Sequence, residues 1–446
     1  MSRLRIVKGK ITEIIGGDLQ YFSEADIEES AADTYAEQSG TRILHGGNPG
    51  TAPAGEIKAK CMVQFRPHAN WKGEFGFDWV RFGDTGTKGD VWYKNITGKY
   101  KNPSTKRLLQ EYLGGSFFRN ANEYQKVLNK HNNMQILWKP KVNGKTYLYP
   151  IPYMTIYKGK TSKLSLKIEI EEVPKKLELK HSKSPHDKND YFKFNTNEIT
   201  IKKGKYTLDN FFEITCFKSF TTDQIIEVLA DDIVCGKLKI LANDLSHQKN
   251  GKILFIKIIS SSGVGSTTGE EERLKNYMKQ SYINVDVKTV NLNLSSDSSF
   301  IPKLRSNSGI HQYLNTKLRS AKFPDGSIVG NRYDGFYKVY FSSEVILQAD
   351  GSYLLGQAED IPSKTVFVLN LKDTAASAGI DFECVKTTAT HELLHAIGLF
   401  HTFDNDSPLT FKKYNTDNIM DYYSPSTNII AKQTYKWQWD ILKTKI

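Results

Sequence analysis

The stretch His391-Glu392-Leu393-Leu394-His395-Ala396-Ile397-Gly398-Leu399-Phe400-His401 fits the pattern H-E-x-x-H-x-x-G-x-x-H. Residues four apart share a helix face, so His391 and His395 can offer two imidazole nitrogens to one metal ion, with Glu392 beside them. Glycine readily takes the left-handed conformation that ends a helix, so Gly398 lets the chain turn and bring in His401 as a third ligand. Three neutral imidazoles with a fourth position left for water are the donor set of a catalytic zinc site, whereas a structural site closes all four positions. The competing reading is a surface helix with incidental histidines. Five fixed positions make a chance match on the order of one in ten thousand for a chain of this length.

Working outward, the segment from residue 250 alternates strand and helix signals. KILFIKII (252–259) reads as a strand, a Gly/Ser loop follows, EEERLKNYMKQSY (270–282) reads as a helix and VDVKTVNL (285–292) as a strand. Further strands are expected at YKVYFSS and KTVFVLNL, with an edge strand near Tyr353–Gln357. This is an α/β layer. The metal-site helix is expected from about Thr388, where Thr387, Thr388 and Thr390 offer caps, to Gly398. The glycines at 263, 265 and 269 do not fit a phosphate-binding loop. Asp404-Asn405-Asp406 lacks the twelve-residue pattern of a calcium loop and reads as a turn.

The motif, with Asn418-Ile419-Met420-Asp421-Tyr422 beginning 17 residues beyond His401, resembles the metzincin clan of zinc endopeptidases across roughly residues 250–446. The resemblance implies that Met420 is the methionine of the turn beneath the zinc, packing under the histidines without coordinating. It leaves Tyr422 either to assist the oxyanion or simply to pack. It implies a protein or peptide substrate laid along the antiparallel edge near Tyr353–Gln357 by main-chain hydrogen bonds. Zn2+ held by His391, His395 and His401 would polarise the scissile carbonyl and activate water, with Glu392 as general base. Gly398-Leu399-Phe400-His401-Thr402-Phe403 is similar to the pappalysin branch. No cysteine-switch sequence of the matrixin kind stands upstream.

The whole chain has 446 residues, 39% hydrophobic, 12% aromatic and 25% charged, an ordinary globular composition that excludes a peptide hormone and wholesale disorder. Of the net charge of +12, about +10 falls in the first 250 residues. Lysines there alternate with apolar residues as on solvated strand faces, so nucleic-acid binding is not expected. The cysteines at 61, 216, 235 and 384 form no C-x-x-C pair and read as buried thiols rather than a disulfide or thiolate framework. No apolar run reaches membrane-spanning length and the first residues lack a secretory signal core, so no membrane span is expected and the chain is expected to be made in the cytoplasm without a Sec signal.

The expected fold class is multidomain α+β. Residues 1–160 form an N-terminal β-rich α+β docking or delivery domain, with a helix near Glu123–Asn132. Residues 161–246 form a small β-sandwich, Asp244–Gly251 a linker, and 250–446 the metzincin-like α/β zinc protease domain. The blocks Ile6-Val7-Lys8-Gly9-Lys10, Phe65-Arg66-Pro67 and Trp71–Trp79 are similar to N-terminal regions of polymorphic toxins of Bacteroidetes contractile (type VI or related) secretion systems. That resemblance implies an exported effector leaving by a non-Sec, contractile-type route, with a component of the secretion apparatus as partner of residues 1–246. Docking, targeting and inhibition by a propeptide all remain open for those residues. The alternative reading for the whole chain is a non-enzymatic structural or binding component of a secretion particle.

Overall fold

Alternation of apolar and polar residues builds the first half. Cys61–Pro67, Lys160–Ile170, Gly204–Cys216 and Phe192–Phe194 form one antiparallel sheet in that order. Phe77–Asp78, Tyr153–Met154, Ile233–Ile240, Gln224–Ala230 and Leu177–Ser182 form a second. Val63, Phe65, Leu164, Leu166, Phe212, Ile214, Ile226, Val228 and Leu238 fill one core between them, the face-to-face arrangement of a sandwich. The computed structural model describes residues 60–140, 146–183, 189–348, 351–369 and 382–446. The block at Ile6–Lys10 lies outside them, as do residues 370–371 of the expected KTVFVLNL strand and the side chain of Cys384. Cys61, Cys216 and Cys235 are buried free thiols.

Both sheets of the sandwich draw strands from either side of residue 160. The C-terminal part of the long strand Lys160–Ile170, from Leu164 on, pairs with Cys61–Pro67, a partner about a hundred residues upstream that no local signal reveals. Between these strands the chain makes a hairpin, Gly98–Lys101 with Ser116–Arg119. The helix Ala121–Asn129 follows, its first turn capped by the Asn120 side chain accepting from the Asn122 N–H, and then the hairpin Asn133–Ile136 with Tyr147–Pro150.

In the second half the strands Ile283–Asn293, Lys249–Ser260, Tyr337–Ser342 and Thr365–Leu369 run parallel, and Gly356–Ala358 closes one edge antiparallel to Thr365–Leu369. Successive side chains point to opposite faces. Ile253, Phe255, Val339, Phe341, Val366 and Val368 pack on one face with helices Glu270–Met278 and Phe382–Ile397. Leu254, Ile256, Tyr340, Phe367 and Leu369 pack on the other with helices Phe300–Ser306 and Ile310–Ser320. Burial on both faces explains the near-continuous apolar strand sequences.

The fold is mixed α+β with several sheets, as expected. Two local expectations need correction. The histidine helix starts at Phe382 rather than near Thr388. Thr388 and Thr390 are buried interior residues of it, because packing on the sheet outweighs the modest helix penalty of a β-branched side chain. The expected linker shrinks to a 3-10 turn at Leu245–His247, since Lys249–Gly251 already pair with Ile283–Val285. Residues Ala59–Ile446 form one compact unit, within which the two halves share a core: Val80, Tyr93, Ile96 and Val127 pack with Leu409, Phe411, Tyr435 and Trp437. Beside it Arg81, stacked over the Trp79 ring at 3.2 Å, pairs with Asp417 at 3.0 Å. Both charged side chains are 1% exposed.

Candidate metal centre

The histidine helix places His391 and His395 one turn apart on one face, and the turn after it supplies the third imidazole. Gly398, at φ +125°, is where the helix ends. Its N–H reaches the His395 carbonyl at 2.8 Å and the Leu399 N–H reaches the Leu394 carbonyl at 2.9 Å, the paired bonds of a Schellman cap. The chain then doubles back. His401 Nε2 comes to 3.0 Å from His395 Nε2, which lies 3.1 Å from His391 Nε2.

Each ring has an acceptor at its other nitrogen. His391 Nδ1 lies 2.7 Å from the Ile419 carbonyl, His395 Nδ1 2.6 Å from the Leu399 carbonyl, and His401 Nδ1 3.1 Å from Asp404 Oδ2. A proton fixed on each Nδ1 leaves each Nε2 as a lone pair, and three lone pairs pointed at one another repel unless a cation sits among them. Tetrahedral zinc with bonds near 2.0–2.1 Å wants its nitrogens about 3.3 Å apart, so the spacing and the donor chemistry fit zinc. Burial drives the His391 pKa down to about 4 and those of His395 and His401 well below the usual value, holding all three neutral as metal ligands require.

Glu392 lies on the same helix. Burial pushes its carboxyl up to about 7, opposed by the hydrogen bond it accepts from the Ala358 N–H at 3.0 Å. Ala358 belongs to the antiparallel edge strand, so the carboxylate is tied to that edge. The strand itself is Gly356–Ala358, displaced from the expected Tyr353–Gln357; Tyr353 instead bridges Leu347. Gly356 is required there, since a Cβ would stand 2.9 Å from the Phe367 carbonyl oxygen and 3.2 Å from Glu392 Cγ.

Asn418–Asp421 forms a tight turn, with the Asp421 N–H donating to the Asn418 carbonyl. Met420 is fully buried, packed in the core that includes Leu393, Leu394 and Ile397. The Ile419 carbonyl in this turn is the one that orients His391. Tyr422 follows it, its ring 4.7 Å from that of His401 and 5.8 Å from that of His391. It is 42% exposed, and desolvation with the nearby Glu392 charge keeps its phenol protonated far above neutrality, a donor rather than a base.

Thus the five residues singled out by sequence, His391, Glu392, His395, His401 and Tyr422, lie in one cluster. Asp404 had no such reading. It accepts from both the backbone N–H and Nδ1 of His401 at 3.1 Å and so sets that ring's orientation, an outer-shell role. Its position three after His401 was the available signal. The neighbouring Asn405 is gripped by the first half of the chain. Its side chain exchanges hydrogen bonds with both backbone groups of Tyr100 and donates to the Leu109 carbonyl, while its N–H donates to Gln110 Oε1 at 2.8 Å. Gln110 also donates to Asp406, and Glu111 pairs with Lys413 at 2.8 Å. Lys413 in turn lies 5.0 Å from the Tyr422 ring and 5.1 Å from that of Phe403.

No protein-family model matches the chain, and no curated protein does. Among solved structures it is similar to archaemetzincin from Methanopyrus kandleri, at 20% identity over 46% of this chain and 98% of that one, with a TM-score of 0.27. Among the described residues His391, His395 and His401 are the group of three placed to hold a metal ion such as zinc, their ligand atoms all within 4.8 Å of one another.

Proposed function

We propose that this chain is a zinc-dependent endopeptidase. The observation that carries the reading is the convergence of three Nε2 atoms whose opposite ring nitrogens are all held by acceptors, with a buried carboxyl alongside and an antiparallel sheet edge attached to it. Zinc held by His391, His395 and His401 supplies Lewis acidity that polarises a carbonyl and makes water nucleophilic near neutral pH.

The remaining work belongs to the chain's own groups. Glu392 takes the proton of the attacking water and returns it to the departing amine. A carboxyl raised toward 7 by burial is matched to that task, and a nearby cation would draw it back toward the ionised form. The Gly356–Ala358 edge offers main-chain groups to an extended peptide, aligning it across the histidines. Tyr422, protonated and partly open to solvent, donates to the oxygen on which negative charge gathers in the transition state. The effector role, the export route and a secretion-apparatus partner belong to the same proposal and are supported by the sequence resemblance of the N-terminal blocks alone. Deleting residues 1–58, which removes the first of those blocks, tests the part it plays: cleavage should persist and delivery should fail.

Glu392→Gln decides the enzymatic reading. The variant should bind zinc as the parent does while hydrolysing an unfolded protein substrate at least about 100-fold more slowly, since a general base contributes on the order of 10²–10⁴. Parental turnover in the zinc-loaded variant would overturn the assignment.

A further inference from the structure

The segment from Leu108 to Leu113 presents two opposed sets of side chains. Gln110 and Glu111 turn toward the metal centre, tied to Asn405, Asp406 and Lys413. Leu108, Tyr112 and Leu113 turn outward and are 65%, 71% and 60% exposed. Three large apolar side chains so open within six residues make a concentrated patch, whereas isolated ones are ordinary on protein surfaces.

This segment is also held in shape. The Leu113 and Gly115 N–H groups donate to the Gln110 carbonyl, the Gly114 N–H donates to the Glu111 carbonyl, and the Leu109 carbonyl accepts from Asn405. Gly114 takes a left-handed φ of +87° to close the turn. A patch fixed in this way loses little further freedom on binding, which favours a recognition role.

Its place relative to the site follows from contacts. The edge strand reaches Glu392 through Ala358; the rings of His401, Phe403 and Tyr422 come next, then Lys413, then Glu111, adjacent to Tyr112 and Leu113. A continuous series of side-chain contacts thus links the metal centre to the segment that carries the apolar patch. Glu111 and Lys413 neutralise each other, so neither brings an unpaired charge to the segment.

We propose that Leu108, Tyr112 and Leu113 form a substrate-selecting rim that receives apolar side chains of an extended peptide, outside the residues flanking the cleaved bond. This rests on the endopeptidase reading for the nature of the ligand, but it is tested by binding rather than turnover. The full-length Glu392→Gln chain, loaded with zinc, is titrated with two fluorescein-labelled peptides of equal length, one with Leu and Phe in its outer positions and one with Ser and Asn. The apolar peptide should bind at least tenfold more tightly by anisotropy, and the added triple change L108S/Y112S/L113S should bring that ratio close to one. V173S/L245S, which removes exposed apolar side chains elsewhere, should leave the ratio intact. An unchanged ratio in the triple variant, or no preference in its parent, overturns the rim. If the peptide preference behaves as expected while the Glu392-containing chain cleaves nothing, the endopeptidase reading fails and the rim stands.

Discussion

At the residue scale the third ligand is the most dependent on its surroundings. His391 and His395 are fixed by a rigid helix and by main-chain carbonyls, but His401 sits beyond the helix and relies on Asp404 for its orientation. Losing an outer-shell carboxylate of this kind costs about 10- to 100-fold in metal affinity. Asp404→Ala should accordingly weaken zinc binding in a chelator competition by that factor, with the urea midpoint of the metal-free chain little changed. Equal affinity would show that the ring is held by its stacking on Phe403 alone, the two planes lying 11° apart with centroids at 4.6 Å.

At the element scale the helix-to-turn junction is the part most legible in the sequence. All three histidines fall within eleven residues, and helix periodicity plus one glycine is enough to bring them together. Gly398 at φ +125° is a conformation that other residues rarely adopt, although the neighbouring space is open, with its nearest contact for a Cβ at 3.7 Å. Gly398→Ala should therefore act through backbone strain, costing on the order of 1–3 kcal/mol, and should lower zinc affinity by displacing His401. Thermal unfolding and zinc competition measured on the same variant check both effects, and parental values in both would remove strain from the account. What the sequence did not reveal at this scale was the grip on residues 404–406. Its partners, Tyr100, Leu109 and Gln110, lie some three hundred positions upstream and carry no motif. The helix start was misplaced for a related reason, since threonines that resemble caps locally are buried against the sheet.

For the molecule as a whole, residues 250–446 are joined to the first half through a shared core and a buried ion pair. A fragment of residues 250–446 would expose Leu409, Phe411, Tyr435 and Trp437 and leave Asp417 without Arg81. Removing one partner of a buried ion pair costs about 3–5 kcal/mol, a large share of a typical domain's stability. Arg81→Met should thus destabilise the full chain by about that amount, read as a lowered denaturant midpoint, while Arg81→Met with Asp417→Leu should recover much of the loss. A single variant as stable as the parent would show the pair to be dispensable.

The same ion pair carries a consequence for timing. Arg81 and Asp417 are 336 residues apart in the chain, and contacts of such long sequence separation form late and slowly, after most of the loop-closure entropy has been lost. The histidine helix can form before the loop beyond it meets its partners in the first half, Arg81 for Asp417 and Tyr100, Leu109 and Gln110 for Asn405. A nascent or truncated chain then has the ligands without their final arrangement. The loop that carries Asp404 is in this way braced only when the two distant segments meet, a delay inherent in the topology.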